Sequence, residues 1–237
     1  MFILVQTFDV PRFIQVFIVQ GLIGFVYLFV AFKILRREKK GINFTLSVFY
    51  ICGGVGVTIN IIYSLILNET IVYVLYFLTY YILCLSLIFL LTFVLLVLKS
   101  EKIITIKRRF MIIFIFGASI FGVWFIPNGI TINDTTNWKP VWSWPFFIYS
   151  ILICTFIAIG PAIYFSIKIY NKFTHEELKK KWRYFLIGIF AYFFLYYGTS
   201  LSNTLANQNF RLIWSLISLP TLISLYFIYH GVAKKLF

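Results

Sequence analysis

The chain has 237 residues, of which 62% are hydrophobic and 22% aromatic, while only 12% are charged. This composition is typical of a membrane-embedded chain and not of a water-soluble domain. Its 21 lysines and arginines outnumber 7 acidic residues and give a formal net charge of +14, which in a soluble protein would suggest nucleic acid as a partner. Here the charges lie between long apolar stretches, so we expect no nucleic acid partner and predict contact with the anionic headgroups of a lipid bilayer.

Seven long apolar stretches predict seven transmembrane helices, since about 20 apolar residues cross roughly 30 Å of hydrocarbon. The first stretch is too long for a signal peptide and is followed by its basic cluster, so we expect it to be retained as a helix. The connections are short, which indicates one all-α, polytopic membrane domain over residues 1–237. The predicted spans are residues 12–35, 44–67, 71–98, 110–126, 145–170, 182–203 and 212–233.

The placement of the basic residues predicts the orientation of this bundle. Of the 21 lysines and arginines, all but three lie after the first, third, fifth or seventh stretch. The three on the opposite side are Arg12, Lys139 and Arg211. By the positive-inside bias, we expect a multi-pass protein of the cell membrane with its N-terminus outside and its C-terminus in the cytoplasm.

Residues that carry chemistry are scarce inside the predicted spans. All 7 acidic residues fall in predicted loops or tails, which disfavours proton-coupled transporters and intramembrane aspartyl proteases. The seventh stretch has no lysine that could hold retinal. Neither His175 nor His230 has a ligand partner at suitable spacing, and Cys52, Cys84 and Cys154 all lie within spans. We therefore expect no catalytic residue, metal site, cofactor or disulfide framework, and no enzymatic activity.

The polar residues that enter the spans concentrate in the predicted outer halves. The second, third and sixth stretches each place such residues on one helical face, and the external loop adds tryptophans. These side chains either bond between helices and anchor the membrane interface, or line an outer cavity for a small molecule. The candidate ligand-binding residues are Asn60, Tyr76, Tyr80, Trp142, Trp144, Tyr196, Thr199 and Asn203.

A basic segment precedes the sixth stretch. Thr174 and Glu177 fit a capping box, which predicts a short helix along the interface that leads into the sixth span. Its charges are expected to contact lipid headgroups or to dock a cytoplasmic partner protein. The residues concerned are Lys179, Lys180, Lys181 and Arg183.

These features together carry a resemblance to a known class of membrane sensors. The seven spans, the external N-terminus, the aromatic loop between the fourth and fifth spans and the segment KKKWRYFLIG at residues 179–188 resemble the seven-helix N-terminal sensor regions of prokaryotic histidine kinases and related proteins. The resemblance covers nearly the whole chain. It implies extracytoplasmic or intramembrane sensing coupled to a cytoplasmic kinase or cyclase, and because no output domain follows Phe237 it implies a separate effector protein.

We therefore expect a receptor-like protein that binds a small ligand in the outer half of the bundle and signals through a separate cytoplasmic partner. A facilitative transporter of a small neutral solute and a structural subunit of a membrane complex are the alternatives. The polar lining of a transporter should continue to the cytoplasmic side, whereas the predicted inner halves of the third, fourth and seventh spans are mostly apolar. This difference favours a cavity that is closed from below.

Overall fold

A computed structural model of the chain describes residues 14–36, 41–218 and 223–233, and within them seven helices are long and apolar enough to cross a membrane. Span 7 consists of the helices Gln208–Ser218 and Ile223–Ala233, and the residues between these helices lie outside the described part. Arg12 and the basic residues at 37–40 and 234–235 also lie outside it. The spans are Val16–Leu35 (span 1), Gly41–Tyr63 (span 2), Glu69–Ile103 (span 3), Ile106–Phe125 (span 4), Trp144–Lys172 (span 5), Glu176–Leu205 (span 6) and Gln208–Val232 (span 7).

Span 3 extends beyond its apolar stretch at both ends. It begins at Glu69 because the side chain of Asn68 caps the helix, with Oδ1 accepting the N–H of Ile71 at 3.0 Å. It runs on to Ile103 after a break at Ser100, whose φ is 66°. At 1.5 Å per residue the part before the break is about 46 Å long, which is longer than the roughly 30 Å of hydrocarbon in a bilayer.

Span 6 also begins earlier than its apolar stretch. The helix is continuous from Glu176 to Leu205, so the basic segment forms its first turns and not a separate interfacial helix. The predicted capping box is wrong, because His175 occupies the N-cap and its side chain makes no capping hydrogen bond. Lysine, arginine and glutamate are good helix formers, and they continue a helix beyond its apolar part.

Span 3 lies in the middle of the bundle. In its most apolar window 61% of the residues are buried, against 22–44% in the other spans. It packs against spans 2, 4 and 5, and reaches span 6 where the rings of Phe93 and Phe185 lie 5.8 Å apart. Consecutive spans pack against each other and span 7 contacts span 1, so span 3 is bordered by spans 2, 4, 5 and 6.

Span 5 changes its helical pitch near its middle. The α-helix Trp144–Ile153 is followed by a π-helical segment, Cys154–Ile159, and then by the α-helix Gly160–Lys172. Pro161 lies at the start of the last helix and has no N–H to donate. A widened turn directly before a proline accommodates its ring and the lost hydrogen bond.

The connection between spans 4 and 5 contains two short strands, which the all-α prediction did not include. Strand β1 (Ile130–Thr131) pairs antiparallel with β2 (Val141–Trp142), and Ile130 lies opposite Trp142. Both of these side chains are buried. We call residues 130–142 the hairpin. The end of the bundle that carries the hairpin is called the hairpin end, and the opposite end, with the connections at 104–105 and 173–175, the basic end.

Spans 6 and 7 pack closely through glycines. A Cβ on Gly188 of span 6 would lie 2.8 Å from the main-chain N of Ile228 and 2.9 Å from the main-chain O of Ser224 in span 7. A Cβ on Gly231 of span 7 would in turn lie 2.8 Å from the main-chain O of Lys181. Small residues at such positions let membrane helices approach closely, which fixes span 7 against span 6.

We expect Gly188→Ala to lower the free energy of unfolding by about 1–3 kcal/mol, because the added methyl group would meet main-chain atoms that move only if the helices separate. Gly21→Ala is the matched control, since nothing lies within 4 Å of a Cβ at Gly21. The control should be neutral or more stable by up to about 1 kcal/mol. Denaturant unfolding of the purified protein in detergent measures both changes, and equal stability of the two variants would contradict the close approach.

Candidate functional site

Three of the predicted ligand residues meet at the hairpin end. The indole Nε1 of Trp142 donates a hydrogen bond to the phenol oxygen of Tyr76 at 2.6 Å. Nδ2 of Asn203 donates to the same oxygen at 3.3 Å. Tyr76 is 6% exposed and Trp142 5%. The Tyr76 oxygen therefore joins the hairpin, span 3 and span 6 in a site shielded from solvent.

Two further predicted residues join this cluster through Ser150 of span 5. Tyr80 donates its hydroxyl hydrogen to Oγ of Ser150 at 2.7 Å, and Tyr196 donates to the main-chain O of Ser150 at 3.2 Å. The ring of Tyr80 lies edge-on to Trp142, with centroids 5.4 Å apart. Ser150 is buried and was not among the predicted residues. We call Tyr76, Tyr80, Trp142, Ser150, Tyr196 and Asn203 the polar cluster.

The other three predicted ligand residues lie outside the polar cluster. Nδ2 of Asn60 donates to Oε1 of Gln20 in span 1. Thr199 accepts a hydrogen bond from Nε1 of Trp214 in span 7 at 3.2 Å. Trp144 is 55% exposed and its ring packs edge-on against Phe147. Asn60 and Thr199 thus bond pairs of neighbouring helices, and Trp144 lies on the outer surface of the bundle.

Arg211 places a positive charge beside the polar cluster. Its Nη2 donates to the main-chain O of Pro140 at 2.7 Å, which ties span 7 to the hairpin. Its Nε is buried and has no hydrogen-bond partner among the described residues. From the sequence, Arg211 was noted only as an external charge, because the predicted seventh span began one residue later.

The described acidic residues of the hairpin end do not pair with Arg211. Asp134 accepts a hydrogen bond from Nε1 of Trp138 at 2.6 Å, and Glu69 lies in the first turn of span 3. The ion pairs between described residues are all at the basic end, where they join Arg109 to Glu101, Lys179 to Glu176 and Lys181 to Glu177. The hairpin end therefore combines several hydrogen-bond donors with a cation that lacks a described acidic partner.

Between the polar cluster and the basic end the interior is filled by side chains. Ser86 of span 3 and Tyr192 of span 6 are hydrogen-bonded with their oxygens 2.5 Å apart. Beyond this pair lie Phe49, Phe93 and Phe185, each at most 2% exposed. The Ser86–Tyr192 pair thus bonds two helices next to tightly packed aromatic rings.

The structure also places the residues considered for metal or redox chemistry. The three cysteines are free, and Cys84 and Cys154 are buried with their sulfurs 4.0 Å apart between spans 3 and 5. No group of three or more histidine, cysteine or acidic residues within the described ranges could hold a metal ion. His230 packs its ring against Tyr184 and Tyr226.

The basic residues predicted to contact a partner lie on the first turns of span 6. Lys181 bonds Glu177 at 2.6 Å, and Nη2 of Arg183 donates to the hydroxyl of Tyr170 at 3.3 Å. Lys180 and Arg183 line a surface depression of about 450 Å³ together with Glu176, Glu177 and Tyr184. Exposed ion pairs contribute little to stability, so these side chains can exchange their bonds for contacts with headgroups or a protein.

Removing the Tyr76 hydroxyl is expected to weaken the hairpin end. Tyr76→Phe leaves the buried donors of Trp142 and Asn203 without their shared acceptor, so we expect the free energy of unfolding to fall by about 1–3 kcal/mol. Tyr73→Phe, one turn away on the same span, is the control: its ring packs on Trp124 at 5.2 Å and is retained, so we expect a change within about 0.5 kcal/mol. Thermal unfolding in detergent compares them, and equal losses would show that the shared acceptor does not stabilise the fold.

The chain matches no protein-family model, no curated protein and no solved structure. The resemblance to the sensor regions of prokaryotic histidine kinases therefore stays a prediction.

Proposed function

We propose that this protein is a receptor-like membrane protein, which binds a small ligand at the hairpin end and passes the change to a separate protein at the basic end. The observation that carries the proposal is the attachment of the hairpin. Trp142 bonds the hairpin to Tyr76 of span 3, and Pro140 bonds it to Arg211 of span 7. The buried side chains of Ile130 and Trp142 also hold the hairpin, and a ligand that replaces either of these hydrogen bonds would change its contact with the polar cluster.

The proposed orientation follows from the charges. Of the 21 lysines and arginines, the sequence pattern assigns only Arg12, Lys139 and Arg211 to the side opposite the basic clusters, and the structure describes Lys139 and Arg211 at the hairpin end. The positive-inside bias then supports a hairpin end outside the cell membrane and a basic end in the cytoplasm. In this orientation the ligand reaches the hairpin from the outside, and Lys179, Lys180 and Lys181 face the cytoplasm.

Span 6 supports the proposed coupling between the two ends. It is one continuous helix of 30 residues, about 45 Å long at 1.5 Å per residue. Asn203 near one end bonds Tyr76, while Trp182 near the other end is fully buried and donates to the main-chain O of Ser166 at 2.8 Å. A shift of Asn203 would therefore tilt a rigid helix whose opposite end carries the basic segment.

The packing below the polar cluster favours a receptor over the transporter alternative. A transported solute needs a path that opens to both sides in turn. On the basic side of the Ser86–Tyr192 pair, Phe49 packs on Tyr192, and Phe93 of span 3 packs on Phe185. A ligand that enters from the hairpin end would meet these rings before it reached the basic end, which suits binding without passage.

Replacing the bonded tryptophan of the hairpin is expected to loosen it. Trp142→Phe removes the donor to Tyr76 and keeps an aromatic ring, so amide hydrogen exchange over residues 130–142 should rise by about fivefold, as the loss of about 1 kcal/mol implies. Trp144→Phe is the matched control, because Trp144 is 55% exposed. Hydrogen exchange with mass spectrometry in nanodiscs measures this, and equal exchange in both variants would contradict a hairpin held by Trp142.

The proposed signal to a partner protein is tested by crosslinking at the basic end of the same variants. A photo-crosslinking residue at Lys180, in cells that naturally produce the chain, should form a protein adduct whose yield changes in Trp142→Phe and not in Trp144→Phe. An unchanged yield beside a loosened hairpin would contradict the receptor proposal. Saturable solute flux through proteoliposomes of the wild-type chain would favour the transporter instead.

A further inference from the structure

We infer that the ligand of the hairpin end carries an oxyanion, a carboxylate or a phosphate, that binds the guanidinium of Arg211. The inference rests on the proposed function, because it names the chemical class of ligand for the same site. It starts from Arg211, which bonds the hairpin two residues before Trp142 of the polar cluster, and it concerns residues from the hairpin and from spans 3, 6 and 7.

Arg211 has a hydrogen-bond donor that no described residue uses. A guanidinium carries five N–H donors in a planar fork and is charged at all relevant pH values. Nη2 donates to the main-chain O of Pro140, while Nε is buried and unpaired among the described residues. A buried donor without an acceptor is costly, so this position favours a ligand that supplies an acceptor.

The shape of one edge of the guanidinium fits an oxyanion. Nε and Nη2 lie on the same edge and present two parallel donors, which match the two oxygens of a carboxylate or phosphate. Nη2 carries two N–H groups, so it can donate to the carbonyl of Pro140 and to an oxyanion at this edge. Because that carbonyl belongs to the hairpin, an oxyanion bound there would lie directly beside the hairpin.

The groups of the polar cluster near Arg211 include several hydrogen-bond donors. Trp142 and Asn203 are donors that now converge on the oxygen of Tyr76, and the phenol of Tyr76 carries a further hydroxyl hydrogen. The described acidic side chains at this end are Asp134, which is bonded to Trp138, and Glu69. A site of donors beside a cation stabilises an anion, whereas a neutral solute would leave the charge of Arg211 unbalanced.

The test compares a matched anionic and neutral probe. The full-length protein in dodecylmaltoside, a detergent without phosphate, is titrated with benzoate, benzamide and inorganic phosphate at constant ionic strength, with tryptophan fluorescence and thermal unfolding as readouts. We expect saturable binding of benzoate or phosphate. Benzamide should bind at least about tenfold more weakly than benzoate, since a charged hydrogen bond is lost.

The variants separate Arg211 from a general effect of positive charge. Arg211→Gln should raise the apparent Kd of the anion at least about tenfold. Lys139→Gln removes the other described cation of the hairpin end and should leave the Kd within about twofold, which corresponds to the small effect of an exposed charge. Arg211→Lys keeps the charge without the paired edge, so its Kd should lie between those of the wild type and Arg211→Gln.

Several outcomes would overturn the inference. Equal binding of the anion by wild type and Arg211→Gln, or no saturable response to any anion, would do so. Binding of benzamide as tight as that of benzoate and independent of Arg211 would also overturn it, yet would leave the proposed receptor function in place. Added phosphatidylglycerol is compared with a soluble anion in the same assay. If phosphatidylglycerol displaces benzoate and this displacement requires Arg211, the inference is supported with a lipid headgroup as the source of the oxyanion. If phosphatidylglycerol does not displace benzoate, the oxyanion belongs to a soluble ligand.

Discussion

The hydrogen bonds to the Tyr76 oxygen hold three separate parts of the chain together. Trp142 of the hairpin and Asn203 of span 6 both donate to it, and Tyr76 itself belongs to span 3 at the centre of the bundle. Buried polar groups need partners, and in hydrocarbon water cannot supply them. The hairpin and the adjoining end of span 6 therefore share one hydrogen-bond acceptor, and displacing either donor changes the surroundings of the other.

The two ends of the bundle use different interactions. At the hairpin end buried, neutral side chains bond one another, and Arg211 bonds the hairpin beside them. At the basic end Lys179 pairs with Glu176 and Lys181 pairs with Glu177. The glutamate side chains of both pairs are exposed, so these pairs can exchange partners. Span 6 belongs to both ends, and the glycines at 188 and 231 hold span 7 against it. The described contacts of spans 6 and 7 thus link the two ends, which supports the receptor function proposed above.

Much of the architecture could be predicted from the sequence, because length and apolar composition alone define a membrane span. The ends of the helices could not, since Asn68 caps span 3 and charged residues extend span 6. Helical periodicity shows which side chains share a face but not which neighbour they meet: Tyr76 and Asn203 meet, whereas Asn60 bonds Gln20. Arg211 was missed as a site residue because Asn207, whose Oδ1 accepts the N–H of Phe210 at 3.0 Å, lets the helix begin before the apolar stretch.

The proposed function requires that the hairpin end and the basic end move together through span 6. Pulsed electron paramagnetic resonance in nanodiscs tests it most directly, with spin labels at Ile103 and Lys180, which are exposed on spans 3 and 6 at the basic end. Loosening the hairpin by Trp142→Phe should add a shifted distance population that is absent from the wild type and from Trp144→Phe. Identical distance distributions in all three proteins would contradict the coupling.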